Sequence, residues 1–168
     1  MSSGDHIAAY QPHTVTAFYH HGVFIETGFY REFTSKYKYQ ESVDRINKDT
    51  DLWRNSATLT VSGEDASRMW VKVTTTDGDL VIDFDREGMH LKTYANFKNG
   101  CKLYTIDHDD AFPADKVYQR AIDTYLEFSD AYDALNCNCE SVANYIVTDK
   151  KMSHQAKRLA AGAPVPWI

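Results

Sequence analysis

Two hydrophobic periods divide this chain, and their order constrains the fold more than any single motif. As far as Ile106 the apolar residues fall in short strand-like runs, whereas after Pro113 they recur at helical spacing. Ile7 to Tyr10 and Thr14 to Ile25 read as strands divided by a turn around Pro12. Gly28 predicts a hairpin that returns through Phe29 to Thr34. Residues 36–56 are polar and read as loop, with a helical turn near Glu41 to Ile46. Met69 to Thr75 alternates apolar with polar, Asp77-Gly78 supplies turn chemistry, and Leu80 to Phe84 alternates back. His90 to Tyr94 and Lys102 to Ile106 complete the strands. Val117, Ala121, Ile122, Tyr125, Leu126 and Phe128 then share one helical face, a second helix runs from Asn138 to about Thr148, and a weaker third from Ser153 to Ala161. Strands first and helices last predict an α+β domain spanning 1–168, an antiparallel sheet with helices packed on one face.

Charge and cysteine usage narrow the functions. A net charge of −6 speaks against broad nucleic-acid binding. Three cysteines, an odd number with two separated by one residue, do not make a disulfide scaffold and suit a reducing compartment. Met1 is followed by Ser-Ser-Gly-Asp, without the basic and apolar regions of a secretory signal, and no apolar run reaches membrane-spanning length. A cytoplasmic location is the expectation, with peripheral membrane contact compatible with it.

The chemistry concentrates at Asn136-Cys137-Asn138-Cys139-Glu140. Asn138 is a strong N-cap type, so Cys139 opens the second helix, facing unpaired N–H groups and the positive end of the helix dipole. Such a thiol is favoured as thiolate, the nucleophilic form. His20 and His21 sit in a strand whose alternation sends their rings to opposite faces, so one of the two can meet Cys139. The Gly28 hairpin would bring Glu32 beside His20, to orient it as the third member of a triad. Cys137 precedes the helix and reads as packing, and Cys101 as structural. The His20-His21 and Cys137-x-Cys139 pairs lack structural-zinc spacing, and Asp107-His108-Asp109-Asp110 lacks the glycine and distal glutamate of a calcium loop. No metal or organic cofactor is expected.

Three stretches in order carry a family resemblance. They are Gly4-Asp5-His6-Ile7, Tyr19-His20-His21-Gly22-Val23-Phe24-Ile25, and Asn138-Cys139-Glu140-Ser141-Val142-Ala143. Together they resemble the lecithin:retinol acyltransferase (LRAT) family, including the phospholipase A/acyltransferase proteins and the H-box/NC class of picornavirus 2A proteins. The resemblance implies a circularly permuted papain-like (NlpC-type) fold in which Cys139 is the nucleophile, its N–H an oxyanion donor, and His20 the base. The family's third position, usually a second histidine on the returning strand, falls on Glu32 when counted through Gly28. Ser141-Val142 departs from the family's His-Phe, and a strand-rich insertion is expected around 50–100. The implied activity is thiol-dependent phospholipase A or acyltransferase chemistry on phospholipid or other acyl esters. The alternatives are a non-catalytic module that binds a host or cellular protein, and a cysteine amidase or peptidase.

Overall fold

The computed structural model describes residues 1–12, 18–53, 57–63, 67–76 and 78–154. Five antiparallel strands form the sheet that carries the site. They are β1 (His6–Gln11), β2 (Phe18–Glu26), β6 (Leu80–Asp85), β7 (Gly88–Thr93) and β8 (Leu103–Ile106), in the order β7-β6-β2-β1-β8. A second antiparallel sheet holds β3 (Gly28–Phe33), β5 (Met69–Thr75) and β4 (Ala57–Val61), in the order β3-β5-β4. The helices are α1 (Lys36–Lys48), α2 (Thr50–Trp53), α3 (Tyr94–Lys98), α4 (Ala114–Glu127) and α5 (Cys139–Thr148).

Alternation along β2 builds a core on each face of the first sheet. Val23 and Ile25 join Leu80, Ile82 and Phe84 in one buried cluster with α4 and α5, and that cluster also takes in Phe29, Val71 and Val73 of the second sheet. Phe24 faces the other way and packs with Ile7, Ala9, Val81 and Phe97 of α3. The late helices therefore cover one face, as the helical period predicts, and short α3 covers part of the other.

The pairing of neighbouring strands departs from expectation at both turns. β2 does not form a hairpin with β3; β2 pairs with β1 and β6, and β3 pairs with β5. The cause is local. Glu26 takes a left-handed φ of 64°, and the register shifts between Phe24 and Glu26, so the chain leaves the sheet there. Gly28 is required for a close approach instead of a turn, since a Cβ on it would lie 2.0 Å from the Val73 carbonyl oxygen. Likewise β5 and β6 belong to different sheets, so the expected Met69–Phe84 hairpin does not form; Asp77 lies outside the described residues. The 50–100 stretch therefore divides, with β4 and β5 in the second sheet and β6 and β7 in the first. The separate layer is an excursion from β3 to β5.

Residues 36–48, read as loop, form the 13-residue helix α1. Ser35 caps it by accepting from the Lys38 N–H, and Tyr39, Ser42 and Ile46 make a narrow buried stripe. The third helix expected from Ser153 to Ala161 falls almost wholly outside the described residues.

Candidate active site

Helix α5 begins with a reciprocal capping box. The Asn138 side chain accepts from the Ser141 N–H at 2.9 Å, and Ser141 Oγ accepts from the Asn138 N–H at 2.8 Å. Ser141, a departure from the family pattern, thus helps fix the helix start. The Asn138 carbonyl takes the Val142 N–H, and Cys139 occupies the first helical position. Val142, Ala143, Ile146 and Val147 bury the helix face expected from sequence.

Strand β2 delivers the imidazole. Its register with β6 runs from Gly22 opposite Asp83 to Glu26 opposite Leu80 and stops short of His20. Cys139 lies against that stretch, with Sγ 3.8 Å from the Tyr19 carbonyl oxygen and close enough to His20 to favour its protonated form. The thiol is buried, at 5% exposure, and is more enclosed than a helix start suggests from sequence. Gly22 makes room for Val81 and the Phe97 ring, because a Cβ there would meet them at 2.7 and 2.9 Å. The Phe97 ring lies against His20, with centroids 5.4 Å apart.

The carboxylate behind His20 is Asp83, a residue that sequence reasoning missed. His20 Nε2 lies 2.7 Å from Asp83 Oδ2. Burial alone would lower the His20 pKa, but hydrogen bonds to Asp83 and Cys139 outweigh it and hold the imidazole protonated well above its ordinary range. Asp83 has no exposed side-chain surface, and Lys92 Nζ also reaches its Oδ2 at 2.7 Å. Burial opposes the charge on Asp83; His20 and Lys92 prevail and lower its pKa. Its Oδ1 has no hydrogen-bond partner among the described residues.

Glu32 is corrected by the same geometry. It sits on β3 opposite Trp70, in the second sheet, and its carboxylate pairs with Arg68 and accepts from the Tyr30 hydroxyl. The signal for Asp83 was present in sequence, as a lone acid inside the apolar run Leu80-Val-Ile-Asp-Phe84. Reaching it required knowing that β6, rather than β3, returns beside β2.

His21 turns to the opposite face, as alternation predicts, and joins His6 and Glu140. Cys137 is buried in a small bridge with Asp133, whose two backbone hydrogen bonds measure 2.7 and 2.8 Å. Cys101 is part-exposed and lies among the partners of the second core. Acidic groups gather around His90, with Asp51 Oδ2 2.7 Å from Nδ1 and Asp85 Oδ1 2.9 Å from Nε2. Burial lowers the His90 pKa less than Asp49 and Asp85 raise it, to about 10, so imidazolium supplies the cation these carboxylates need.

A cleft of about 710 Å³ is lined by Phe84, Met89, Phe128 and Tyr132 together with charged residues of both signs, among them Asp44 and Arg86; Cys139, His20 and Asp83 do not line it. Phe84 and Met89 also wall the small enclosed space beneath Cys139.

A thiol at a helix start, an imidazole on a neighbouring strand and a buried carboxylate behind it define the class of papain-like thiol sites. The chain belongs to the lecithin retinol acyltransferase family, whose model matches residues 1–152. The family is one of acyltransferases on an NlpC-type papain-like scaffold, and the α+β architecture agrees with it. No curated protein and no solved structure matches this chain. Among the described residues, no helix is long and apolar enough to cross a membrane.

Proposed function

We propose that this protein is a thiol acyl-transfer enzyme that removes a fatty acyl chain from a phospholipid ester through an acyl-Cys139 intermediate. The observation that carries the reading is the position of His20, hydrogen-bonded to buried Asp83 and beside Cys139, whose sulfur lies 3.8 Å from the carbonyl oxygen of the preceding residue, Tyr19. Asp83 favours imidazolium, and imidazolium favours thiolate, because each charge stabilises the next.

In this mechanism the Cys139 thiolate attacks the ester carbonyl, forming the C–S bond. The oxyanion that develops is held by the Cys139 N–H at the positive end of α5. His20 donates its proton to the departing glycerol oxygen as the C–O bond breaks. Neutral His20 then takes a proton from water or an acceptor alcohol or amine, which attacks the thioester and regenerates the thiolate. No step calls on a metal or an organic cofactor.

The phospholipid substrate rests on family membership; a neighbouring cleft of mixed apolar and charged lining shares Phe84 and Met89 with the small space at Cys139. Peripheral contact with a lipid surface follows from such a substrate. Asp83 supplies behind His20 the carboxylate that position 32 does not, which supports the catalytic reading over a non-catalytic binding module. The test is incubation with short-chain phosphatidylcholine, following lysophospholipid and free fatty acid by mass spectrometry. Release that disappears in Cys139→Ala supports the proposal. Cleavage of amide substrates alone would favour an amidase, and no turnover on esters or amides would favour a binding module.

A further inference from the structure

Three buried or half-buried imidazoles stand in a row that the acyl-transfer mechanism does not use. His6 on β1 and His21 on β2 are diagonal neighbours on one sheet face, since His6 lies opposite Val23, two residues beyond His21. His6 Nε2 is 2.7 Å from His21 Nδ1, and His6 Nδ1 is 2.8 Å from His108 Nε2. The His6 and His108 rings stack at 5.1 Å. At the inner end, His21 Nε2 faces Glu140 Oε2 at 3.6 Å, while Glu140 Oε1 accepts from Ser153 Oγ at 2.6 Å. His6, His21 and Glu140 are all buried.

The row joins the two elements that bring the reacting pair together. His21 follows His20 on β2, and Glu140 follows Cys139 on α5. The His21–Glu140 pair is therefore a second strand-to-helix contact, one residue beyond His20 and Cys139 and on the other face of the strand; at 3.6 Å it is a close approach of polar groups and not a hydrogen bond. Such a link is the kind of support that keeps a nucleophile and its base within the few tenths of an ångström that chemistry requires.

Proton positions follow from counting. A neutral imidazole carries one N–H, so two shared hydrogen bonds among three rings allow two self-consistent patterns. In one, every ring donates through Nε2, from His108 to His6 to His21 and on towards Glu140. In the other, every ring donates through Nδ1, which would aim the His21 Nε2 lone pair at a carboxylate. An ionised Glu140 selects the first pattern. Burial, followed by the neighbouring imidazoles, lowers the pKa of His21 well below its ordinary value, and burial and His108 lower that of His6 to about 3, so both rings are neutral at pH 7. The other charged or titratable groups around the row are Asp107, Asp110 and His154 near His108, and His20 on the opposite face of β2.

We propose that His21 and Glu140, backed by His6 and His108, are positioning residues that hold β2 and α5 at the spacing the Cys139–His20 pair needs, with each imidazole proton on Nε2. The inference rests on the reading of that pair as the reacting one. The test uses the full ¹⁵N-labelled chain at pH 7, with histidine tautomers read by long-range ¹H–¹⁵N correlation and Cys139 reactivity read by iodoacetamide alkylation. The expected result is Nε2–H at His108, His6 and His21. Glu140→Gln should mix the His21 tautomers and slow alkylation at least tenfold; His6→Phe, which keeps the bulk but breaks the row, should do the same if the first variant fails to fold. Nδ1–H in the unaltered chain, or alkylation within twofold in the folded variants, overturns the proposal. If tautomers and alkylation respond as stated but no fatty acid is released from any ester, this inference stands and the ester substrate falls.

Discussion

Replacing Asp83 by asparagine tests the electrostatics of the site most sharply, because it keeps the shape and removes one charge. The carboxylate is fully buried and 2.7 Å from His20 Nε2, so water screens the interaction little. A hydrogen bond to a charged group contributes about 1.5–3 kcal/mol, against about 1 kcal/mol for a neutral one. With about 1.36 kcal/mol per tenfold change, the loss lies between a few-fold and about 30-fold in the thiolate–imidazolium population. Lys92 adds to this, since its ammonium would then face His20 without the carboxylate between them, which brings the expected loss to about 10- to 100-fold. The assay is the rate of iodoacetamide alkylation at Cys139 at pH 6, read by intact mass, with circular dichroism to confirm that the variant folds. Lys92→Met is the control, because it leaves the His20–Asp83 contact in place and should keep the rate within about threefold. An Asp83→Asn rate equal to that of the unaltered protein would refute the role given to Asp83.

Three further outcomes follow from the geometry. Glu32→Gln should leave alkylation and ester turnover unchanged, because Glu32 pairs with Arg68 and Tyr30 in the second sheet; a shifted pH–rate profile would contradict this. Gly22→Ala should cost about 1–3 kcal/mol in denaturant unfolding and slow alkylation of Cys139, since the new Cβ presses on Val81 and on Phe97, whose ring lies against His20; an unchanged midpoint would count against the crowding. The His90 pKa is raised to about 10 in the folded chain, so its contribution to stability is complete below about pH 6.5 and fades as pH rises through 10. Asp85, which burial would raise but His90 holds down to about 2, contributes above about pH 4 and loses that contribution as pH falls towards 2. His90→Gln should flatten the alkaline limb of a stability–pH curve, and an unaltered limb would place the titration elsewhere.

Local signals were legible where one element carried the information. The Asn138 cap, the Cys139 helix start and the apolar face of α4 follow from residue type and spacing within a dozen positions. The opposed rings of His20 and His21 follow from strand alternation alone. What did not follow was which strands pair. Gly28 and Asp77-Gly78 carry turn chemistry, yet the strands around each belong to different sheets, and turn residues cannot report that. The carboxylate partner of His20 was misplaced for that reason: sequence distance favoured Glu32, whereas pairing of β6 with β2 puts Asp83 against His20. Helix α1 was read as loop because three buried positions in thirteen residues make a thin stripe in a polar segment. The His6–His21–His108 row drew on β1, β2 and the loop after β8, and only the tertiary fold assembles it.

The central claim is an acyl group carried on one particular sulfur. Intact-mass analysis after rapid mixing with a short-chain phosphatidylcholine, followed by peptide mapping, addresses it directly. The account predicts a mass increase equal to one acyl chain less a proton, mapped to Cys139, present in Cys137→Ala and absent in Cys139→Ala. An adduct on Cys137, or a protein that turns over the ester without acylation at Cys139, would contradict it.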